Sequence, residues 1–208
     1  MKIGCVILAG GKSSRMGTDK ALLELDGKTF IEQISKELEW FEEKIIAHGN
    51  TRELSDTNWT VVSDIYLNHG PLGGIHSALS VCQSDALFVV TCDMPLLKSS
   101  LAHKLCDIMC ESEVMSQTVD NTVLGQVGYD AVISVGEDGK MHPLCGVYRK
   151  SALPILEEQL LSGRNKVMEA LKKLHVKYIT VDSSMDTQQL FNINTPQDYE
   201  KLNLKKKR

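Results

Sequence analysis

Hydrophobic and polar positions follow a block pattern along this chain, in which short apolar runs precede longer segments of mixed character. The mixed segments carry apolar residues three and four positions apart, as at Ile31, Ile34 and Leu38, which is the spacing of one helix face. Helices are predicted at Thr29–Phe41, Ile75–Cys82, Ser99–Cys110, Ser151–Leu161, Lys166–Leu174 and Pro196–Leu202. Strands are predicted at Lys2–Leu8, Lys44–His48, Trp59–Ser63, Ala86–Thr91, Ala131–Val135, Cys145–Tyr148 and Val176–Val181.

This alternation of strands and helices is typical of a mostly parallel sheet covered by helices. The run Lys2–Leu8 is apolar enough for a strand that is buried on both faces. The pattern therefore predicts an α/β protein in which one domain, residues 1–208, has three layers and a mostly parallel sheet with flanking helices. One stretch breaks the pattern: Glu111–Gly128 is polar and matches neither period, and we expect a surface excursion that either covers a partner site or has no role.

Composition and charge narrow the function classes. The chain has 208 residues, 42% apolar and 24% charged, with a net charge of −4, which argues against a general binder of nucleic acid or of a membrane surface. The basic run 205–208 is interpreted as a solvated terminus. No apolar run approaches the ~20 residues that span a bilayer. The N-terminus lacks the organisation of a signal peptide, so a cytoplasmic location is expected.

The strongest candidate for chemistry is the glycine-rich segment that follows the first predicted strand. Gly10, Gly11 and Gly17 let backbone N–H groups approach anionic oxygens, and Arg15 and Lys20 add fixed positive charge. Two better-known phosphate loops are excluded. A P-loop ending at residues 11–13 would need its first glycine at position 6, and the dinucleotide fingerprint fails because the first two glycines are adjacent. A polyphosphate site of another kind is predicted.

Other polar residues also come at the ends of predicted strands, where ligands bind in open α/β sheets. Asp93 follows a buried strand and faces the glycine loop, which suits a Mg²⁺ ligand or, alternatively, a turn aspartate. Asn192 and Asn194 lie two apart, so on an extended segment they face the same way, before a helix capped by Thr195. Asp64 follows the third predicted strand and precedes the Gly70–Gly74 loop, but it also fits a plain turn.

Two further candidates lie in the second half of the chain. His142 precedes a predicted strand and fits a general base, a metal ligand or a hydrogen-bonded turn histidine. Arg164 and Lys166 lie in a basic loop that opens a helix, a ready anion site or simply solvated charge. No nucleophile–base pair stands out, which gives no support for a covalent enzyme intermediate.

Three motifs together resemble the molybdenum cofactor guanylyltransferase family: L-A-G-G-x-S-x-R-M-G-x-D-K at 8–20, C-D-x-P at 92–95 and N-x-N-T-P at 192–196. The resemblance runs from residue 3 to about 202, except for 111–128. It implies a Rossmann-like nucleotidyltransferase fold, with residues 1–98 mainly binding the nucleotide and 99–208 mainly binding the partner. It also implies transfer of GMP from GTP to the terminal phosphate of molybdopterin, with release of pyrophosphate.

The resemblance gives each candidate a role. Arg15, Lys20 and Asp93 are implied to be catalytic, with Asp93 as the Mg²⁺ ligand. The implied nucleotide-binding residues are Leu8, Ala9, Gly10, Gly11, Lys20, Asn50, Asp64 and Asp93. The residues grouped with the partner are His142, Arg164, Lys166, Asn192 and Asn194. In the family the two asparagines lie at the metal and nucleotide site.

Alternatives remain open at this point. The chain could transfer CMP to molybdopterin, or a nucleotide to another phosphorylated acceptor, or it could be a molybdopterin-binding chaperone without turnover. The form Leu8-Ala9-Gly10-Gly11 is similar to guanylyl enzymes, whereas related cytidylyl enzymes more often read L-A-A-G. Besides GTP and molybdopterin, the resemblance points to molybdenum-inserting and molybdoenzyme-maturation proteins as partners, and to neither nucleic acid nor membrane.

Overall fold

Seven strands pair into one sheet in the computed structural model of this chain, which describes residues 1–10, 23–48, 59–118, 128–182 and 185–205. The strands of the main sheet and of a small hairpin are β1 (Ile3–Leu8), β2 (Glu24–Leu25), β3 (Lys28–Thr29), β4 (Lys44–His48), β5 (Thr60–Ser63), β6 (Ala86–Thr91), β7 (Ala131–Gly136), β8 (Met141–Arg149) and β9 (Val176–Val181). The order in the main sheet is β5-β4-β1-β6-β8-β7-β9. The predicted fold class is confirmed.

Strand direction decides which residues meet at one edge of this sheet. Strand β8 is antiparallel to both its neighbours, β6 and β7, while the other pairings in the sheet are parallel. The carboxyl ends of the parallel strands and the start of β8 therefore lie along the same edge. This edge, called the carboxyl edge below, is where open α/β sheets bind their ligands.

Helices cover the sheet on both faces. They are α1 (Phe30–Glu37), α2 (Gly70–Val81), α3 (Ser99–Thr118), α4 (Leu153–Leu161), α5 (Val167–Leu171) and α6 (Pro196–Lys205). Short 3-10 helices span Lys150–Ala152 and Thr187–Leu190. Side chains of β1 alternate between two cores: Cys5 and Ile7 pack with α1 and α3, whereas Val6 and Leu8 pack with α2, α4 and α5. The prediction that this strand is buried on both faces is confirmed.

Most elements differ from their predicted bounds by one or more residues, and three of these differences change the interpretation of the sequence. Helix α2 begins at Gly70 and not at Ile75, since Pro71 is tolerated in a first turn and the glycines allow close packing. Strand β8 begins at Met141, so His142 lies inside it and not before it. Helix α3 continues to Thr118 into the stretch that we expected to be a surface excursion, because its residues 111–118 include helix formers and neither glycine nor proline.

A small hairpin, formed by β2 and β3, was not predicted. Its turn residues Asp26 and Gly27 have φ angles of 54° and 73°, the left-handed values that a tight two-residue hairpin turn needs. Thr29 then caps α1, and the Glu32 carboxylate accepts a hydrogen bond from the Thr29 N–H in return. Within the described residues, no helix combines the length and the apolar character needed to cross a membrane.

We expect Gly146→Ala to lower the free energy of unfolding by about 2 kcal/mol or more, because the added methyl overpacks a buried strand pair. A Cβ at this position would lie 2.6 Å from the Val132 carbonyl oxygen and 2.7 Å from the Ile133 Cδ1. Neither neighbour has room to move, since both belong to the buried part of β7. The change is measured as a shift of the urea midpoint at constant slope.

Gly163→Ala is the matched control for this prediction. A Cβ there meets nothing within 4 Å, so the free energy of unfolding falls only because the φ angle is +71°. That decrease is about 1 kcal/mol. If the two variants shift the urea midpoint equally, the collision at residue 146 does not occur.

Candidate functional site

Gly10, at the start of the glycine-rich segment, and Asp93 each come directly after one of two neighbouring strands. Strands β1 and β6 end in register, with Leu8 paired to Thr91. The Cys92 N–H donates to the Leu8 carbonyl oxygen at 3.1 Å. Gly10 and Asp93 therefore follow directly from adjacent strand ends at the carboxyl edge, which confirms the predicted placement of Asp93 beside the start of the glycine loop.

Two hydrogen bonds fix the turn that carries Asp93. The Thr91 hydroxyl donates to the Asp93 Oδ1 atom, and Thr91 itself is buried at the end of β6. The Ile193 N–H donates to the Asp93 carbonyl oxygen at 2.9 Å. The carboxylate is thus held from the strand below it, and the C-terminal segment is tied to the same turn.

The asparagine segment is anchored on both sides of its central residue. Ile193 is fully buried and packs with Leu25, Phe30 and Leu202. At the helix that follows, the Thr195 hydroxyl accepts from the Asp198 N–H at 3.2 Å, and the Asp198 carboxylate accepts from the Thr195 N–H at 2.9 Å. Thr195 is therefore the N-cap of α6, as predicted, and this cap fixes the segment next to Asp93.

Asn192 carries an unsatisfied oxygen in this segment. Its Oδ1 atom is buried and has no hydrogen-bond partner, which is costly unless a ligand supplies one. The residue lies next to Ile193, whose N–H bonds to Asp93. Carboxylate and amide oxygens are ligands that suit Mg²⁺, which proteins hold by one or two carboxylates together with phosphate oxygens and water. The Asp93 turn and Asn192 therefore fit a magnesium–phosphate site.

Asp64 lies against the glycine face of α2. A Cβ at Gly73 would be 3.7 Å from the Asp64 Oδ2 atom, and a Cβ at Gly74 would be 3.7 Å from the Oδ1 atom. The same Cβ on Gly74 would be 3.1 Å from the Leu8 Cδ2 atom. The two glycines thus let this carboxylate approach the helix beside the end of β1, so Leu8, Asp64 and the start of α2 lie together at the carboxyl edge.

His142 reaches the carboxyl edge from the other side of Asp93. It lies on β8, two strands from β1, and pairs with Ser134 on β7. Burial and the nearby Lys140 ammonium lower the pKa of His142 below its usual value, and the Asp138 carboxylate opposes this only in part. The lowered pKa favours the neutral imidazole, which suits a positioning hydrogen bond better than the binding of an anion by charge.

The basic loop between α4 and α5 lies near the start of α2. The Asn165 Oδ1 atom and the His69 Nδ1 atom are 2.7 Å apart, and His69 directly precedes α2. Helix α5 begins at Val167 and has five residues, so its dipole contributes little to an anion site. Arg164 and Lys166 are exposed, and any anion binding by this loop rests on their side chains.

Several predicted residues lie outside the described part of the chain: Gly11, Arg15, Lys20 and Asn50. Sequence reasoning also missed residues that help to build the site. Thr91 had a usable signal, because residues two apart at the end of a strand face the same way and Thr91 precedes Asp93 by two. The His69–Asn165 contact had none, since it joins distant segments by a single hydrogen bond.

Comparisons with known proteins agree with this geometry. A family model described as the MobA-like NTP transferase domain matches residues 5–177. A probable molybdenum cofactor guanylyltransferase from Carboxydothermus hydrogenoformans is 36% identical over 200 residues, covering 94% of this chain and 92% of the relative. A probable molybdenum cofactor guanylyltransferase from Clostridium perfringens is 34% identical over 213 residues, covering 99% and 98%.

Solved structures give the same result. The crystal structure of molybdopterin-guanine dinucleotide biosynthesis protein A from Archaeoglobus fulgidus superposes with a TM-score of 0.79 and 27% identity, covering 100% of both chains. A CMP:2-keto-3-deoxy-manno-octonic acid synthetase complexed with CTP superposes with a TM-score of 0.72 and covers 99% and 98% of the two chains. Its 13% identity shows a shared fold alone.

Proposed function

This chain belongs to the MobA-like NTP transferase family, and we propose that it transfers GMP from GTP to the terminal phosphate of molybdopterin. An oxygen of the acceptor phosphate forms a bond to the α-phosphorus of GTP, and the bond from that phosphorus to the bridging oxygen breaks. Pyrophosphate leaves with the electron pair of the broken bond, and the guanine dinucleotide form of the cofactor results. The observation that carries this proposal is the register of β1 and β6, which sets Asp93 beside the start of the glycine loop.

Positioning and charge neutralisation account for the chemistry. The attacking phosphate is already anionic, so the reaction needs no general base. We assign Arg15 and Lys20 to the triphosphate and to the charge that develops on the leaving pyrophosphate. Asp93 and Asn192 would hold Mg²⁺, which would neutralise negative charge on the phosphate oxygens. Thr91 keeps the Asp93 carboxylate oriented for this role.

The nucleotide and the acceptor approach Asp93 from opposite directions. Residues 1–98 would hold the nucleotide, with Asn50 beside the base and the Asp64 carboxylate accepting from a ribose hydroxyl or a guanine N–H. The glycine face of α2 lies against that carboxylate and supports this side of the site. Residues 99–208 would hold the acceptor, through His142 as a positioning residue, through the asparagine segment, and through the basic loop of Arg164 and Lys166.

We expect the protein to bind GTP more tightly than CTP or ATP in the presence of Mg²⁺. Gly10 leaves room and a free backbone edge beside the base, which suits a purine. A base pocket built from polar groups rejects the wrong base strongly, because its own groups are then left unpaired. Calorimetric titration with each nucleotide measures the preference, and pyrophosphate release with isolated molybdopterin measures the transfer.

CTP provides the decisive comparison in these titrations. Tighter or equal binding of CTP, together with pyrophosphate release from CTP and molybdopterin, would replace the guanylyl proposal with a cytidylyl one. Binding of GTP and molybdopterin without any release of pyrophosphate would instead leave a cofactor-binding protein without turnover.

A further inference from the structure

A cavity of about 410 Å³ opens at the carboxyl edge beside the Asp93 turn. The β7–β8 hairpin forms one wall, and the 3-10 helix Thr187–Leu190 with the residues after it forms the other. Leu96, three residues after Asp93, and Phe191, just before Asn192, both line it. The cavity therefore lies near the turn that carries Asp93, and its volume lies in the range of small-molecule sites.

The walls of this cavity combine an apolar surface with polar groups near it. Leu96, Leu190 and Phe191 supply the apolar part, and the Phe191 side chain is 37% exposed. Gln188 can donate and accept hydrogen bonds, and Lys201 adds positive charge. An exposed aromatic ring at the wall of a cavity is a stacking surface for a flat heterocycle.

Gly136 keeps the hairpin wall open. A Cβ at this position would lie 2.6 Å from the Asp138 Oδ1 atom and 3.7 Å from the His142 Nε2 atom. A side chain there would thus enter the space between two polar groups that line the cavity. Both groups remain accessible to a ligand because the residue is glycine.

From this geometry we infer that the cavity holds the pterin ring system of the acceptor, with one face of the ring on Phe191. The inference rests on the proposed function and extends it to residues that no motif identified. Pterin and guanine share a 2-amino-4-oxopyrimidine ring, so both fit the chemistry of the walls. The position favours the pterin, because the cavity adjoins β7 and β8, whereas Leu8, Asp64 and α2 adjoin β1, β4 and β5.

The test compares Phe191→Ala with Phe191→Tyr. We expect Phe191→Ala to raise the KM for molybdopterin and its dissociation constant about tenfold or more, since stacking on an aromatic ring is lost. Phe191→Tyr keeps the ring and should remain close to wild type. The dissociation constant of GTP with Mg²⁺ should stay unchanged in both variants. Tyr178→Ala removes an aromatic side chain of similar exposure, 43%, from β9 and serves as the control.

A second variant guards against loss of folding. Lys201 is exposed on α6, so Lys201→Glu should fold, and its negative charge should weaken binding of the anionic acceptor. If the wild-type protein turns over, but Phe191→Ala and Lys201→Glu both keep the wild-type KM and dissociation constant for molybdopterin, the inference is overturned. It is also overturned if Phe191→Ala weakens GTP as much as molybdopterin, since the cavity then holds guanine. Absence of pyrophosphate release in the wild type contradicts the proposed function, while direct titration with molybdopterin still tests the cavity.

Discussion

Asp93→Asn will lower turnover about a thousandfold, because losing one metal-binding carboxylate removes several kcal/mol of transition-state stabilisation. The substituted amide still offers an oxygen to the Thr91 hydroxyl, and the main-chain bond from Ile193 to residue 93 does not involve the side chain. We therefore expect the fold to persist while the dependence on Mg²⁺ weakens. Pyrophosphate release at increasing Mg²⁺ concentration measures the effect, and circular dichroism checks the fold.

Asp107→Asn is the matched control for this variant. Asp107 is exposed on α3, and its loss should leave turnover at the wild-type level. Near-normal turnover of Asp93→Asn with an unchanged requirement for Mg²⁺ would mean that Asp93 does not bind the metal. Its carboxylate would then serve only the structure of the turn.

Lys20→Ala should lower kcat/KM for GTP about 10-fold to 100-fold, the value of one charge-assisted contact. The charge of Lys20 should act both on the bound triphosphate and on the leaving pyrophosphate, so KM should rise and kcat should fall together. Lys20→Arg keeps the charge but replaces a compact ammonium with a planar fork, and it should restore activity only in part. Steady-state kinetics with varied GTP separates the two constants.

Lys36→Ala is the control, because this lysine is exposed on the last turn of α1 and should be neutral for catalysis. Wild-type KM and kcat in Lys20→Ala would mean that Lys20 does not contact the triphosphate, and the assignment of the glycine-rich segment as the triphosphate site would then be wrong.

The sequence predicted structure best in segments with a single strong local signal, such as a short apolar run or a helix cap. Lys44–His48, Ala86–Thr91 and Val176–Val181 have the predicted bounds, since short apolar runs between turns leave little choice. The Thr195 cap was also predicted correctly, because a threonine before a proline is a local signal. Asp93 at the carboxyl edge followed from the same reasoning about where strands end.

Tertiary packing decided the features that the sequence did not reveal. The glycines of α2 suggest a loop by composition, yet they are helical because Asp64 and Leu8 pack against them. Strand β8 extends to Met141 because its partner β7 is long enough to pair with it, so His142 became part of a strand. The cavity beside Phe191 is made by four separate segments, and no single motif could indicate it.

The position of β8 has a consequence for how the chain folds as it is made. Strands β5, β4, β1 and β6 come from the first part of the chain and can pair before β8 is synthesised. Until Met141–Arg149 arrives, β6 has one unpaired edge, although every residue of this apolar strand is buried in the finished protein. Such an edge can pair with the same edge of another nascent chain. The stage between β6 and β8 is therefore when self-association competes most directly with folding.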